Sequence, residues 1–101
     1  MAKNQENAEQ LGRAWALHRK GQNEDAIREF SALLRQSALH IDALYGLALS
    51  QRSAGHTEAA QESFTTCLTQ IESALVDHPN EDRYEMLQKM TRQRLDELKA
   101  R

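Results

Sequence analysis

Apolar residues recur at three- and four-residue steps in five runs, separated by glycine or by short polar and proline-containing stretches. From about Asn7 to Lys20, the residues Ala8, Leu11, Ala14, Trp15 and His18 share one side, the signature of an amphipathic helix. The segment before it, residues 1–6, is polar and expected to fray. A second run, Asn23 to Gln36, carries Ala26, Ile27, Phe30, Leu33 and Leu34 on one face. The third, Ile41 to Ala54, carries Leu44, Leu47 and Ala48, and the fourth, Thr57 to Val76, continues through Ile71, Ala74 and Leu75 until Asp77-His78-Pro79 stops it. The fifth starts after Asn80 and shows Tyr84, Leu87, Thr91, Leu95 and Leu98. Gly21 and Gly55 are expected to end helices in the left-handed conformation that glycine adopts at least cost. Asn23, Thr57 and Asn80 are the expected N-caps.

The runs are not independent. At a single offset of 34, Gly12 meets Gly46, Ala14 meets Ala48, Gly21 meets Gly55, Ala26 meets Ala60, Phe30 meets Phe64 and Leu34 meets Leu68. A fixed period of this length means one supersecondary unit written twice. Each copy sets a small residue where two helices approach closely, then an aromatic four residues on, then a leucine after another four. The unit reads as helix, glycine turn, helix. Aligning Asp42 with Asp82 matches Leu44 to Tyr84 and Leu47 to Leu87, so the fifth helix reads as the first half of a third unit used as a cap.

Ala26-x3-Phe30, Ala60-x3-Phe64 and the two turn glycines resemble the tetratricopeptide repeat, a unit of roughly 34 residues. The first halves match it less closely, with Leu44 and Leu47-Ala48 in copy two and Gln10 and Arg13 at the apolar positions of copy one. The resemblance spans about residues 8–78. It implies an all-α fold of antiparallel helix-turn-helix repeats in a short right-handed superhelix, about five helices in one domain over residues 1–101. Repeat one would occupy about 7–40, repeat two about 41–77 and the capping helix about 80–100. It also implies that first helices line a concave groove for a protein or peptide partner.

Composition narrows the function. With 40% apolar and 28% charged residues the chain is of globular type, and a net charge of −2 gives no bulk attraction to nucleic acid or anionic lipid. The apolar runs are too short to span a membrane, and the polar start lacks a secretory signal. The single cysteine, Cys67, stands where copy one has Leu33 and is expected to be a buried small hydrophobe, which suits a reducing, cytoplasmic setting. His18, His40, His56 and His78 show no helical ligand pair, so no metal or other cofactor is expected. No phosphate loop or nucleophile motif occurs, so the chain reads as a non-catalytic scaffold or interaction protein.

The expected groove comprises Leu11, Trp15, His18 and Arg19 from the first helix, Tyr45, Leu49 and Arg52 from the third, and Lys89 and Arg92 from the cap. Aromatic and leucine side chains would form its floor and the basic residues its edge, fitting a peptide or helix with an apolar anchor beside an acidic group. Gly12 and Gly46 are expected to open room for a ligand or a neighbouring helix to approach. Trp15 has two places open to it, groove or core. Tetratricopeptide domains that grip acidic chaperone tails use Lys and Asn where this chain has Leu11, Trp15 and Gly46, which excludes that clamp. A second reading is a self-associating scaffold, a homodimer through Ile71, Leu75, Val76, Met86 and Met90.

Overall fold

Five α-helices follow one another in a computed structural model that describes residues 2–37 and 39–100, with side chains from Asn7 onward. They are α1 (Ala2–Arg19), α2 (Asn23–Gln36), α3 (Ile41–Ser53), α4 (Thr57–Asp77) and α5 (Asp82–Lys99), with no strand among the described residues. The chain is all-α, as the periodicity requires. Helix α1 begins at Ala2 and not at Asn7, because nothing in the polar lead breaks a helix: it contains neither glycine nor proline.

Both expected glycine turns form, and they form alike. Gly21 has φ of 79° and Gly55 of 85°. In the first, the Gly21 N–H donates to the His18 carbonyl at 3.0 Å and the Gln22 N–H to Leu17 at 2.9 Å. In the second, Gly55 donates to Arg52 at 3.1 Å and His56 to Gln51 at 2.8 Å. These paired bonds satisfy carbonyls that a helix end leaves orphaned.

The expected N-caps are corrected. Asn23 and Thr57 are the first helical residues, with Gln22 and His56 in the cap positions, and Glu81 replaces Asn80 before α5. None of these three makes a side-chain cap bond. The side chain that does cap is His40, whose Nδ1 accepts from the Ala43 N–H at 3.2 Å. The glycine turns leave the following residue with ψ near 70°, short of the extended geometry from which a short side chain reaches back to the helix.

Consecutive helices pack as antiparallel neighbours, and equivalent helices run parallel. Glu24 and His56, at the starts of α2 and α4, meet at 2.9 Å, while His18 and Ser50, near the ends of α1 and α3, lie 3.4 Å apart. Asp42 and Arg83 join the starts of α3 and α5 at 3.2 Å, and Arg52 and Glu97 join their ends at 3.6 Å. The hairpins are therefore stacked in one direction.

The core repeats with the sequence. One cluster holds Ala14, Ala26, Phe30, Leu33, Ala43 and Leu47; the other holds Ala48, Ala60, Phe64, Cys67 and Ile71 together with Leu44, Tyr45, Leu95 and Leu98. Phe30 and Phe64 are both fully buried, each contributing about 1.5–3 kcal/mol of transfer free energy. Trp15 and Leu34 touch both clusters and tie them together.

Of the two occupants expected at Gly46, a ligand or a neighbouring helix, it is the helix that comes close. A Cβ there would overlap the Phe30 ring, whereas one at Gly12 would meet nothing within 4 Å. The difference follows from the stack: α2 covers α3, and no earlier repeat covers α1. The C-terminal part of α4 is likewise occupied. Ile71 is fully buried, and Leu75 and Met90 pack on the second cluster, so of the five residues suggested for a dimer only Val76 and Met86 are exposed.

Candidate functional site

Helices α1, α3 and α5 carry the expected groove residues, in different surroundings. Leu11 is half-buried against the first cluster. Trp15 stands edge-on to Phe30, with ring centres 5.2 Å apart at 79°, and edge-on to His18 at 5.9 Å. It is half-buried, so it serves the core with part of its ring and leaves part open. Tyr45 is buried, edge-on to Phe64 at 5.8 Å, and Leu49 is half-buried beside the second cluster. Arg19 is exposed at the end of α1.

The cap helix presents a different side from the one expected. Arg92 pairs with Glu72 of α4 at 2.9 Å, and Lys89, one turn before it, is exposed. Neither belongs to the α3 side. Tyr84, Thr91, Leu95 and Leu98 set the rotation of α5 on α4, and the stripe turned toward α3 is Arg83, Leu87, Met90, Arg94 and Glu97, at alternating four- and three-residue steps. The signal was present in the sequence as that spacing. It was missed because Arg83 and its neighbours read equally well as a solvated flank.

Where α1 and α3 pack directly, α3 and α5 meet chiefly through long side chains bridging their ends. Between them lies a cavity of about 460 Å³ lined by Arg52, Ser53, Arg94, Glu97 and Leu98. Arg94 Nη1 donates to both Glu97 oxygens, at 2.8 and 3.2 Å. Arg52 reaches the same carboxylate only at 3.6 Å, beyond hydrogen-bond length. The Glu97 carboxylate, and after it the Tyr45 hydroxyl, hold the Arg94 guanidinium above its already high pKa. Arg94 Nε is buried without a hydrogen-bond partner.

The field reaches α1. Burial first, then Arg52 and Arg19, push His18 below the usual imidazole range, so its ring is neutral at pH 7. Ser50, fully buried, lies 3.4 Å from His18 Nδ1. The cleft thus has two guanidinium groups and the Ser53 hydroxyl as donors, one carboxylate as acceptor and an apolar wall from Leu98, and its donors are suited to holding an anion.

Cys67 lies apart from this cleft, buried under α5. Burial pushes its thiol up to about 12, against a smaller opposing effect of its hydrogen bond with Thr91, and its Sγ–H points to the Ile41 carbonyl at 3.7 Å. Among the described residues, no three of His, Cys, Asp and Glu converge as metal ligands, and no helix is long and apolar enough to cross a membrane. Compared with protein-family models, curated proteins and solved structures, the chain returns no match.

Proposed function

We propose that this chain is a non-catalytic, tetratricopeptide-like interaction module of the cytoplasm, whose concave side takes a peptide or helix with an apolar anchor beside an acidic group. The observation that carries the reading is the cleft between α3 and α5, where Arg52 and Arg94 face a single carboxylate across a cavity of about 460 Å³. Leu98 on its wall and the half-buried Leu49 and Met90, one turn before Arg52 and Arg94, offer apolar surface for an anchor, and the unbalanced guanidinium supplies attraction for an acid. The family resemblance rests on the paired Ala-x3-Phe cores and identical glycine turns, and the right-handed curl belongs to the same proposal.

Selection from a random peptide display library on the immobilised chain tests this. Enriched peptides are expected to place Leu, Phe or Trp next to Asp, Glu or a free C-terminus, and Arg52→Glu is expected to abolish that enrichment in a chain that still unfolds cooperatively. Enrichment of basic peptides, or a selection unchanged by Arg52→Glu, contradicts the proposal.

A further inference from the structure

We infer that Glu97 is the internal occupant of a carboxylate site built by Arg52, Ser53 and Arg94, and that a partner's carboxylate carried beside an apolar group displaces it. The inference rests on the cleft reading above and adds to it the group recognised and the residue that competes for it. Three observations converge. The cavity's lining holds two guanidinium groups and one carboxylate, leaving one positive charge unmatched within it. The existing pairing is incomplete, because Arg52 stands 3.6 Å from Glu97 and Arg94 Nε is buried unpaired. A buried donor in that state is unfavourable, and a shift of the guanidinium onto an oxygen acceptor relieves it.

The third observation is that Glu97 is held weakly. Its side chain is 46% exposed, and its closest partner, Arg94, is one turn away on the same helix. An exposed pair within one helix contributes little, so Glu97 rotates into solvent readily. The planar guanidinium forks match a carboxylate's two oxygens, the Ser53 hydroxyl can donate a further bond, and Leu98, 2% exposed, gives the adjoining methyl or methylene groups a dry wall. An isolated inorganic anion would use the charges and leave that wall unused.

Nitrogen-15 NMR titrations distinguish the outcomes, with the Nε–Hε signals of Arg52 and Arg94 as reporters. N-acetyl-leucine offers a terminal carboxylate, N-acetyl-aspartyl-leucinamide a side-chain carboxylate, and N-acetyl-leucinamide none. At least one carboxylate ligand is expected to shift both arginines, identifying which source fits, while the amide leaves them unmoved. Glu97→Gln is expected to bind that ligand about twofold more tightly, and Arg94→Lys, which keeps the charge but loses the fork, to bind it more weakly. Melting curves verify that both variants fold. Equal shifts from the amide, no gain in Glu97→Gln, or equally strong shifts from inorganic phosphate overturn the inference. Ligand shifts at Tyr45 and Leu49 with silent arginines would overturn it while sparing the cleft reading; no shift anywhere in the cleft would sink both.

Discussion

Gly12 and Gly46 occupy the same place in the repeat and have opposite physical roles. Both lie inside helices, where Gly costs about 1 kcal/mol relative to Ala. Around Gly12 there is open space, so Gly12→Ala is expected to raise stability by up to that amount in urea unfolding. At Gly46 the added methyl meets a fully buried ring that cannot step aside, and Gly46→Ala is expected to lower stability by about 1–3 kcal/mol. Sequence equivalence alone could not separate them, since it is the neighbour and not the position that differs. His18 offers a second test. Its folded pKa lies below the ordinary 6.5, so the unfolded chain binds more protons in that range and stability falls as pH drops from about 6.5 through the folded value. A proton NMR titration of His18 is expected to give a midpoint below 6.5, moving upward in Arg52→Gln because one of the depressing charges is gone. A midpoint unmoved by that change would separate Arg52 from His18.

Among the elements, α5 has the largest task. It sets Tyr84, Leu87 and Thr91 against the C-terminal half of α4, where Ile71 and Cys67 are buried, and Leu95 and Leu98 against its first turns. Cys67 therefore reports on its docking: with a thiol pushed up to about 12 and no exposure, it is expected to resist iodoacetamide at pH 8 in the folded chain. Leu95→Glu, which puts a charge into that interface, is expected to raise the alkylation rate by more than about tenfold, through opening of the cap. Reaction at the same rate in both would mean that α5 does not cover the cysteine. The helices themselves were legible from spacing, since each apolar stripe needs one buried face and the glycines end α1 and α3 in only one way. The caps were not, because the turn geometry before α2 and α4 left their polar side chains unable to reach back. The side of α5 turned toward α3 was also illegible, since the Arg83 to Glu97 stripe competes with a charged flank of equal regularity, and only the docked rotation chooses between them.

At the scale of the whole molecule, the period of 34 residues becomes a direction of stacking, with α1, α3 and α5 parallel and α2 and α4 parallel behind them. The candidate cleft exists because that stacking is uneven: α3 lies close to α1, while α5 is drawn toward α4 by its own apolar stripe and leaves a gap lined with arginines. Leu11, Trp15, His18, Tyr45, Leu49 and Arg52 were legible as equivalent positions of α1 and α3 because they repeat at the offset, Leu11 with Tyr45, Trp15 with Leu49 and His18 with Arg52, and of them Arg52 lines the cleft. Arg94 and Glu97 have no such counterpart and had to be found in space. The contact on which the stack turns is that of Gly46 with the Phe30 ring, and an isotope-edited nuclear Overhauser experiment reads it directly. Strong cross-peaks from the Gly46 α-protons to the Phe30 ring, with none from Gly12 to either phenylalanine, are expected; a Gly46 without that contact would contradict the stacked-hairpin account.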